Sequence, residues 1–355
     1  MKTLNIAVTG LKGAGKTEVV KKIQQRTELE TEHLNVYSYK LGDTLVYLSD
    51  TVYDINKIKP TLALYHQADA CLICVSAIDG ISQAFGELVL LLSFSNVPHV
   101  VIAVTKTDSA DSDQIATIKA KLKAIFSQTH LKDIPMIETS TLTDEGFIEI
   151  SQELAKLMPR HHDKTGFIKM SIDTSKEIKS GLTTVTGVIE RGSIKKYDKV
   201  VLMPWGKEFI AQEIQMYGEV VEKAEAGNRC AVSFKGLYPW DVQLGDIIAA
   251  ENTIKKAKSL ALEFHVSHFF KDELRPDMEV ELNIGMQTSP VVIKSLKKDD
   301  VEVQKLASGE KGEVVIESKL PLAFEEHQHC IIVNPQAHWR SIKVAGNGKV
   351  KGSVV

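Results

Sequence analysis

The sequence predicts an α/β domain with a mostly parallel sheet, followed by two β-barrel domains. Up to about residue 158, short β-rich runs alternate with longer helical ones, a pattern typical of parallel strands covered by helices. Beyond that point, apolar and polar residues alternate between turns of Gly, Asp and Lys, as they do in β-barrels. The chain of 355 residues is long enough for two to three domains.

A polar segment that contains Pro159, His161 and His162 marks the first predicted boundary, because proline and polar clusters are common in linkers. We therefore predict that residues 1–163 form the α/β domain. Residues 164–254 and residues 255–355 are predicted to form the two barrels, which contain runs such as DKVVLMPW and MEVELNIG, respectively. The four cysteines are too few for a disulfide framework.

The composition excludes several broad classes of protein. Hydrophobic residues make up 43% and charged residues 25% of the chain, which is average for folded globular proteins and unlike disordered or collagen-like chains. No apolar stretch approaches the roughly 20 residues of a membrane-spanning helix, and the N-terminus MKTLNIAVTG leaves no room for a secretory signal, so we expect a cytoplasmic protein. The net charge of −3 predicts no general affinity for DNA, and any contact with RNA must be local.

A phosphate-binding loop is the strongest local signal in the sequence. The run GLKGAGKT fits G-x-x-x-x-G-K-[ST], follows the strand-like LNIAV and opens a helical run, which is the context expected of such a loop. Lys16 is expected to reach the β- and γ-phosphates, and Thr17 to supply a hydroxyl to Mg²⁺. Backbone N–H groups of the loop are expected to surround the phosphates. The predicted phosphate-binding residues are Gly10, Gly13, Ala14, Gly15, Lys16 and Thr17.

The choice of base is predicted from the run TKTD, which follows the strand-like HVVIAV where GTPases carry N-K-x-D. Asp108 can accept the N1–H and 2-amino protons of guanine, a paired contact that adenine does not offer. Lys106 is expected to lie along the base plane. Thr105 replaces the usual Asn, so we expect one hydrogen bond fewer in the loop and weaker guanine selectivity. Ser140 and Thr141, in ETST, stand where GTPases place a backbone N–H against the guanine oxygen.

With these motifs in this order, the chain resembles the translational GTPases of the elongation factor Tu and SelB group. The resemblance is carried by GLKGAGKT, the element at Asp50, VSAIDG, TKTD and ETST, and by TTVTGVIERGSIKKYDKV, whose VTG-x-x-x-RG-x-I signature belongs to the second domain of the group. It covers nearly the whole chain. It implies GTP, GDP and Mg²⁺ as cofactors, aminoacyl-tRNA and the ribosome as partners, and a monomer. Within the group, the compact switch region and the length look most like the SelB-like elongation factor of methanogenic archaea called EF-Pyl.

The third nucleotide motif departs from the D-C-P-G-H of the family, because this chain has Asp50-Thr51-Val52-Tyr53-Asp54. Asp50 can still hold Mg²⁺ through a water molecule. Tyr53 stands at the glycine whose N–H meets the γ-phosphate, and Asp54 at the histidine that orients the attacking water. A carboxylate that faces an anionic phosphate is unfavourable. We therefore predict slow or absent intrinsic hydrolysis of GTP and assign no catalytic residue.

The first switch is predicted to be short, because only 32 residues separate Thr17 from Asp50. Thr27 and Thr31 are candidates for the threonine that binds Mg²⁺ in this switch. Neither stands in a recognisable motif, so the alternative is that both are solvated turn residues.

A basic stretch near the C-terminus is the candidate RNA contact. Between positions 339 and 355 the chain has four basic residues and no acidic one, namely Arg340, Lys343, Lys349 and Lys351. Their contacts with phosphates would give an affinity that depends strongly on salt. Arg191, Lys195 and Lys196 form a smaller basic group. The alternative is a solvated barrel edge that is protected by lysines.

Two functions of different classes follow from the sequence. The first is a GTP-dependent elongation factor that delivers an aminoacyl-tRNA to the ribosome, with Lys16, Thr17 and Asp108 holding the nucleotide. The second is a non-catalytic regulatory paralogue that keeps the fold and has no hydrolysis cycle, and Tyr53 and Asp54 favour it. A P-loop ATPase or kinase is disfavoured by the position of TKTD and by the two trailing barrels.

Overall fold

Two units make up the chain, residues 1–161 and residues 162–355. The computed structural model describes residues 2–24, 26–30, 34–51, 58–131, 133–178, 181–338 and 341–354. The boundary between the units lies within the polar linker that contains Pro159. None of the helices formed by the described residues is both long enough and apolar enough to span a membrane.

The first unit is a seven-stranded sheet covered by helices. Its strands are β1 (Lys2–Thr9), β2 (Arg26–Glu30), β3 (Asn35–Leu41), β4 (Thr44–Asp50), β5 (Ala70–Ser76), β6 (His99–Thr105) and β7 (Met136–Thr139). Its helices are α1 (Lys16–Ile23), α2 (Lys59–Gln67), α3 (Gln83–Phe94), α4 (Ser112–Phe126) and α5 (Phe147–Lys156). The strand order is β2-β3-β4-β1-β5-β6-β7. Pairing is parallel from β4 to β7 and antiparallel among β2, β3 and β4, so the mostly parallel sheet is confirmed.

Burial explains why the central strands of this sheet form. Every residue of β5 (ACLICVS) is buried, and β1 is buried from its second residue onward. Such apolar runs are typical of parallel strands that helices cover on both faces. Because β1, β4, β5 and β6 run in parallel, the chain leaves them at one common edge of the sheet, after Thr9, Asp50, Ser76 and Thr105. Ligands of open α/β sheets usually bind at this edge.

The second unit begins with a closed antiparallel barrel, as the sequence predicts. Its strands are β8 (Lys169–Ile178), β9 (Leu182–Arg191), β10 (Ser193–Lys195), β11 (Lys199–Met203), β12 (Lys207–Met216), β13 (Glu219–Val221), β14 (Lys223–Glu225), β15 (Arg229–Lys235) and β16 (Ile247–Ala249). Six of them, β11-β16-β8-β9-β15-β12, close through the pair β11–β12. The inward side chains form one core, which includes Ile172, Val185 and Phe234.

A second closed barrel follows and confirms the other half of the prediction. Its strands are β17 (Lys255–Val266), β18 (Glu279–Ile284), β19 (Gln287–Lys298), β20 (Val301–Val303), β21 (Lys311–Phe324), β22 (His329–Val333) and β23 (Val344–Ser353). The six strands β18-β22-β23-β17-β21-β19 close through the pair β18–β19. Its core includes Leu262, Phe264 and Ile316.

Two sets of buried or partly buried charged side chains in the second unit form ion pairs. Arg229 of β15 forms a buried ion pair with Asp173 of β8, and the hydroxyl of Thr186 also donates to that carboxylate. Removal of one partner of such a pair leaves an uncompensated buried charge, which is strongly destabilising.

A second ion-pair network, around Lys169, joins the two barrels. The Nζ atom of Lys169 lies 3.1 Å from a carboxylate oxygen of Glu190 and 2.7 Å from one of Glu325. Arg191 also contacts Glu325, at 2.8 Å. Burial of Lys169 opposes its charge, but the two carboxylates outweigh this effect and raise its pKa. Arg191 was predicted to belong to a basic group with Lys195 and Lys196, and its charge is balanced within this network by Glu325.

Candidate nucleotide-binding site

The loop between β1 and α1 has the backbone geometry of a phosphate-binding loop. Gly13 and Gly15 have φ angles of 82° and 79°, in the left-handed region that glycine adopts most readily. Gly10 passes so close to β5 that a Cβ atom would lie 2.3 Å from the carbonyl oxygen of Cys74. The three glycines of the predicted motif are therefore each required by the conformation of the loop.

Helix α1 starts directly after this loop, with Gly15 as its N-cap and no side chain capping its N-terminus. The first helical hydrogen bond runs from the N–H of Val19 to the carbonyl of Gly15, at 3.0 Å. The N–H groups of Lys16, Thr17 and Glu18 thus have no acceptor from the preceding turn of the helix, as is usual at a helix N-terminus. Such N–H groups, with the positive end of the helix dipole, form a favourable site for phosphate.

Lys16 is held over the loop in the position that phosphate capture requires. The residue is only 7% exposed. Its Nζ atom donates to the carbonyl oxygens of Gly10 and Leu11, at 3.1 and 3.2 Å. These two carbonyl oxygens are neutral acceptors that hold the ammonium next to the loop. An oxygen of a bound phosphate is charged and would be a stronger acceptor for the same ammonium.

Asp50, the last residue of β4, is a buried carboxylate with one oxygen that forms no hydrogen bond to a described residue. It is 3% exposed, and no residue in the described part of the chain hydrogen-bonds to its Oδ1 atom. Burial raises its pKa to about 6, the charge of Lys16 lowers it and the charge of Glu18 raises it. Asp50 and Thr17 line the same cavity. A carboxylate with such an oxygen, beside a hydroxyl, is a donor set that fits Mg²⁺.

These groups surround one cavity of about 530 Å³ at the common edge of the parallel strands. It is lined by Lys12, Gly13, Gly15, Lys16, Thr17, Glu18, Val19, Asn35, Asp50, Thr51, Thr105, Lys106, Thr139 and Thr141. The lining includes eight residues that the sequence predicted, namely Gly13, Gly15, Lys16, Thr17, Asp50, Thr105, Lys106 and Thr141. Four other predicted residues, Gly10, Ala14, Asp108 and Ser140, are not part of it.

The loop after β6 contacts the phosphate loop directly. The hydroxyl of Thr105 donates to the carbonyl of Ala14 at 2.8 Å, so the replacement of Asn by Thr keeps one hydrogen bond between the two loops. Lys106 has a left-handed backbone, with φ of 59°, and its Nζ atom lies 2.9 Å from a carboxylate oxygen of Asp79. Asp79 belongs to the run VSAIDG after β5, so this ion pair joins two of the loops at the edge of the sheet.

Asp108 lies beside this cavity on an exposed turn. The hydroxyls of Ser140 and Ser109 hydrogen-bond to its carboxylate and lower its pKa, so it is ionised and able to accept protons. Ser140 is one of the two residues that the sequence places at the guanine oxygen, and its backbone N–H donates to the carbonyl of Glu145 at 3.2 Å. The next residue, Thr141, is the one that lines the cavity.

Several other candidates lie apart from the cavity or outside the described residues. Thr27 is an exposed residue of β2, opposite Tyr37 of β3, and it does not line the cavity. Thr31, Tyr53, Asp54 and Arg340 lie outside the residues that the structure describes.

The basic stretch at the C-terminus is partly balanced by acidic residues. Lys349 and Lys351 are exposed on β23. Lys351 forms an ion pair with Glu313 of β21, which raises the pKa of the lysine. Lys349 lies opposite Glu263 of β17 and His329 of β22. Lys343, just before β23, is partly buried. Of the four basic residues that the sequence suggested for RNA, Lys351 therefore has its charge offset across the sheet.

Residues that sequence patterns did not select complete the cavity. Lys12 occupies an unspecified position of the phosphate-loop motif, and Glu18 follows the motif directly. Asn35 lies opposite Asp50 in the pairing of β3 with β4. Lys12 and Glu18 could have been found from their adjacency to the motif, whereas the position of Asn35 depends on strand register.

Comparison with known families and structures gives concordant matches. The family model "Elongation factor Tu GTP binding domain" matches residues 34–160, and "Archaeal selenocysteine-specific elongation factor, domain III" matches residues 254–351. The chain is 25% identical to the selenocysteine-specific elongation factor of Methanocaldococcus jannaschii, over 99% of this chain and 80% of that protein.

Solved structures agree in fold over the whole chain. The elongation factor SelB of Methanococcus maripaludis, in complex with the GTP analogue GppNHp, aligns with a TM-score of 0.88 and 25% identity, covering 100% of this chain and 80% of that one. A bacterial selenocysteine-specific elongation factor aligns with a TM-score of 0.83 over 99% of this chain and 58% of its own. At 19% identity, this second likeness concerns the fold alone.

Proposed function

We propose that this chain, a member of the SelB-like branch of the elongation factor Tu group of translational GTPases, is a GTP-binding elongation factor that delivers a specialised aminoacyl-tRNA to the ribosome. It acts in the cytoplasm as a monomer, with GTP or GDP and Mg²⁺ bound at the cavity of the first unit. The observation that carries the proposal is the convergence of Lys16, Thr17, Asp50, Thr105 and Lys106 on that cavity.

Each part of the nucleotide has a counterpart in the cavity. The N–H groups at the start of α1 and the ammonium of Lys16 take the phosphates, since both present positive charge there. Thr17 and Asp50 would hold Mg²⁺, which neutralises phosphate charge when it is bound. Lys106 and Thr141 line the cavity and would contact the base, and Asp108, on the exposed turn after Lys106, would accept the guanine N1–H and 2-amino protons.

Hydrolysis of GTP is proposed to be slow without the ribosome. By sequence, Tyr53 and Asp54 replace the glycine and histidine of the family motif. A carboxylate at the position of the histidine would face an anionic phosphate, which is unfavourable. The same replacements favour the second candidate, a regulatory paralogue that binds nucleotide and has no hydrolysis cycle. Substitutions Tyr53→Gly and Asp54→His separate the two, because the elongation factor should gain GTP hydrolysis from them and the paralogue should not.

The aminoacyl-tRNA that this protein would carry is proposed from the family rather than from a binding pocket. The relatives named above are selenocysteine-specific, and the resemblance to EF-Pyl makes a pyrrolysine-specific tRNA the first to be tested. Contact with tRNA would come from Lys343, Lys349 and the neighbouring Arg340. Filter binding of charged and uncharged tRNA to the GppNHp-loaded protein tests this proposal, and equal affinity for both tRNA forms would contradict it.

Equilibrium binding of fluorescent GTP, GDP and ATP analogues in the presence of Mg²⁺ tests the nucleotide site. We expect selective binding of the guanine nucleotides, and loss of binding in Lys16→Ala. Lys21→Ala is the matched control, because Lys21 is an exposed lysine of the same helix that does not line the cavity. The α-helices of the described residues all lie in the first unit, so circular dichroism at 222 nm checks that this unit stays folded. Failure of the unaltered protein to bind any nucleotide at millimolar concentration would contradict the proposal.

A further inference from the structure

Lys12 is a cation of the cavity for which the nucleotide motif has no role. It lies in the phosphate loop, at a position that the pattern G-x-x-x-x-G-K-[ST] leaves open. It is exposed and lines the cavity. Throughout the described ranges, no acidic side chain or carbonyl oxygen pairs with it. An exposed lysine with no partner inside a concave site is available to a ligand.

The other two lysines of the cavity are already bonded. Lys16 donates to the carbonyls of Gly10 and Leu11, and Lys106 pairs with Asp79 at 2.9 Å. The cavity also contains the carboxylates of Glu18 and Asp50, which oppose the entry of an anionic nucleotide. Lys12 is therefore the cation of this lining whose charge is not balanced by a described neighbour.

The position of Lys12 along the cavity indicates which part of a nucleotide it would meet. The Nζ atom of Lys16 lies 3.2 Å from the carbonyl of Leu11, the residue just before Lys12. In phosphate loops, the lysine of the GK[ST] triplet reaches the β- and γ-phosphates. Leu11 and Lys12 therefore lie in the part of the loop next to the ammonium of Lys16, which is the group expected to reach the terminal phosphates.

We propose that Lys12 binds the terminal phosphate of GTP and is the residue by which the site distinguishes GTP from GDP. The inference rests on the proposed function and names the recognition residue of that same site. It also accounts for a sequence feature, since Tyr53 replaces the glycine that would otherwise meet the γ-phosphate. A lysine ammonium can replace such a backbone N–H, because it forms a charge-assisted hydrogen bond with phosphate.

The affinities of GDP and GppNHp, each with Mg²⁺, test the inference in the full chain. Unaltered protein is compared with Lys12→Ala, with Lys12→Arg, which keeps the charge, and with the control Lys21→Ala. Displacement of a fluorescent GDP analogue gives each affinity. We expect Lys12→Ala to weaken GppNHp at least about tenfold, the size of one charge-assisted hydrogen bond, and to weaken GDP less than about threefold. Lys12→Arg should keep most of the preference, and Lys21→Ala should change neither affinity.

The outcomes separate this inference from the proposed function. Equal weakening of both nucleotides by Lys12→Ala, or no change in either, would overturn the role of Lys12 while leaving the nucleotide site in place. No binding of either nucleotide to the unaltered protein would overturn the proposed function and the inference with it. Because Lys12 is an exposed loop residue, circular dichroism of Lys12→Ala is expected to match that of the unaltered protein.

Discussion

The barrels and the cavity of the first unit differ in how their charged side chains are paired. In the barrels, buried or partly buried charges meet opposite charges, as Lys169 does with Glu190 and Glu325, and Arg229 with Asp173. In the cavity of the first unit, Lys12 and Glu18 form no ion pair with any described residue, and Oδ1 of Asp50 has no hydrogen bond there. Paired charges therefore maintain the architecture, while unpaired charges in a concave site identify where a charged ligand belongs.

The largest effect is expected from breaking the buried ion pair of the first barrel. Arg229→Ala leaves the carboxylate of Asp173 buried without its cation, so we expect the free energy of unfolding of the second unit to fall by about 3 to 5 kcal/mol. Trp205, Trp240 and Trp339 are the three tryptophans, all within the second unit. Their fluorescence during urea unfolding therefore follows this unit alone. The double substitution with Asp173→Asn should recover part of the loss, and a loss below about 1 kcal/mol for Arg229→Ala would show that the pair is not a structural necessity.

A smaller, pH-dependent effect is expected at the contact between the barrels. Burial of Glu325 opposes its ionisation, but the charges of Lys169 and Arg191 outweigh this and lower its pKa. A lowered pKa means that the stabilisation is complete above the ordinary pKa of about 4.5 and is lost as the pH falls through the folded value. The free energy of unfolding of the second unit, measured by tryptophan fluorescence, should therefore fall less steeply between pH 7 and pH 3 in Glu325→Gln than in the unaltered protein.

Glu326→Gln is the matched control for this experiment. Glu326 is the neighbouring glutamate, and it pairs with Lys255 at the exposed surface. Exposed pairs contribute little to stability, so Glu326→Gln should keep the pH dependence of the unaltered protein. If the free energy of unfolding depended on pH equally in both variants, the network between the barrels would not be the source of the pH dependence.

In the cavity, removal of an unpaired negative charge should strengthen binding. Glu18→Gln is expected to raise the affinity for Mg-GDP about two- to tenfold, because Glu18 repels the phosphates at the start of α1. Glu149→Gln is the control, since Glu149 is also an exposed glutamate in the first turn of a helix and lies outside the cavity. Nucleotide titration measures both, and weaker binding in Glu18→Gln would indicate that Glu18 helps to hold Mg²⁺.

The smallest effect is expected on the outer face of β23. Under the proposed function, Lys349→Ala should remove about one phosphate contact with tRNA. The slope of log affinity against log salt concentration should therefore become shallower by roughly 0.7 to 0.9. Lys351→Ala should change it less, because Glu313 already balances Lys351. Binding of tRNA over a salt series measures both slopes. A larger effect at Lys351 would mean that Glu313 turns away when RNA binds.

The sequence predicts much of this molecule because its strongest signals are local. The glycines of GLKGAGKT, the alternation of strands and helices, and the TKTD run each depend on neighbouring residues, and the sheet and both barrels have the predicted form. The partner of Lys351, in contrast, is 38 residues away in sequence, and Glu325 meets Lys169 across 156 residues. Such pairings depend on strand register, which a reading of single segments cannot supply.

The candidate site was predictable to the extent that its chemistry follows a contiguous motif. Lys16 and Thr17 could be named because their spacing is fixed, and both line the cavity. Asn35 was not predicted, because only the register of β3 against β4 brings it opposite Asp50. Ser140 and Thr141 were placed at the base by their position in the sequence, and the hydrogen bond from Ser140 to Glu145 depends on a turn that the pattern does not specify.

The strand order of the second barrel has a consequence for biosynthesis. The last strand of that barrel, β23, lies between β22 and β17, the latter being its first strand. Until residues 344–353 have emerged from the ribosomal exit tunnel, β17 and β22 each lack a neighbour, and the apolar interior around Phe264 cannot be sealed. The first unit needs none of these residues and can fold earlier. The nascent chain can therefore contain a folded GTPase domain while β17 and β22 of the second barrel are still unpaired at this edge.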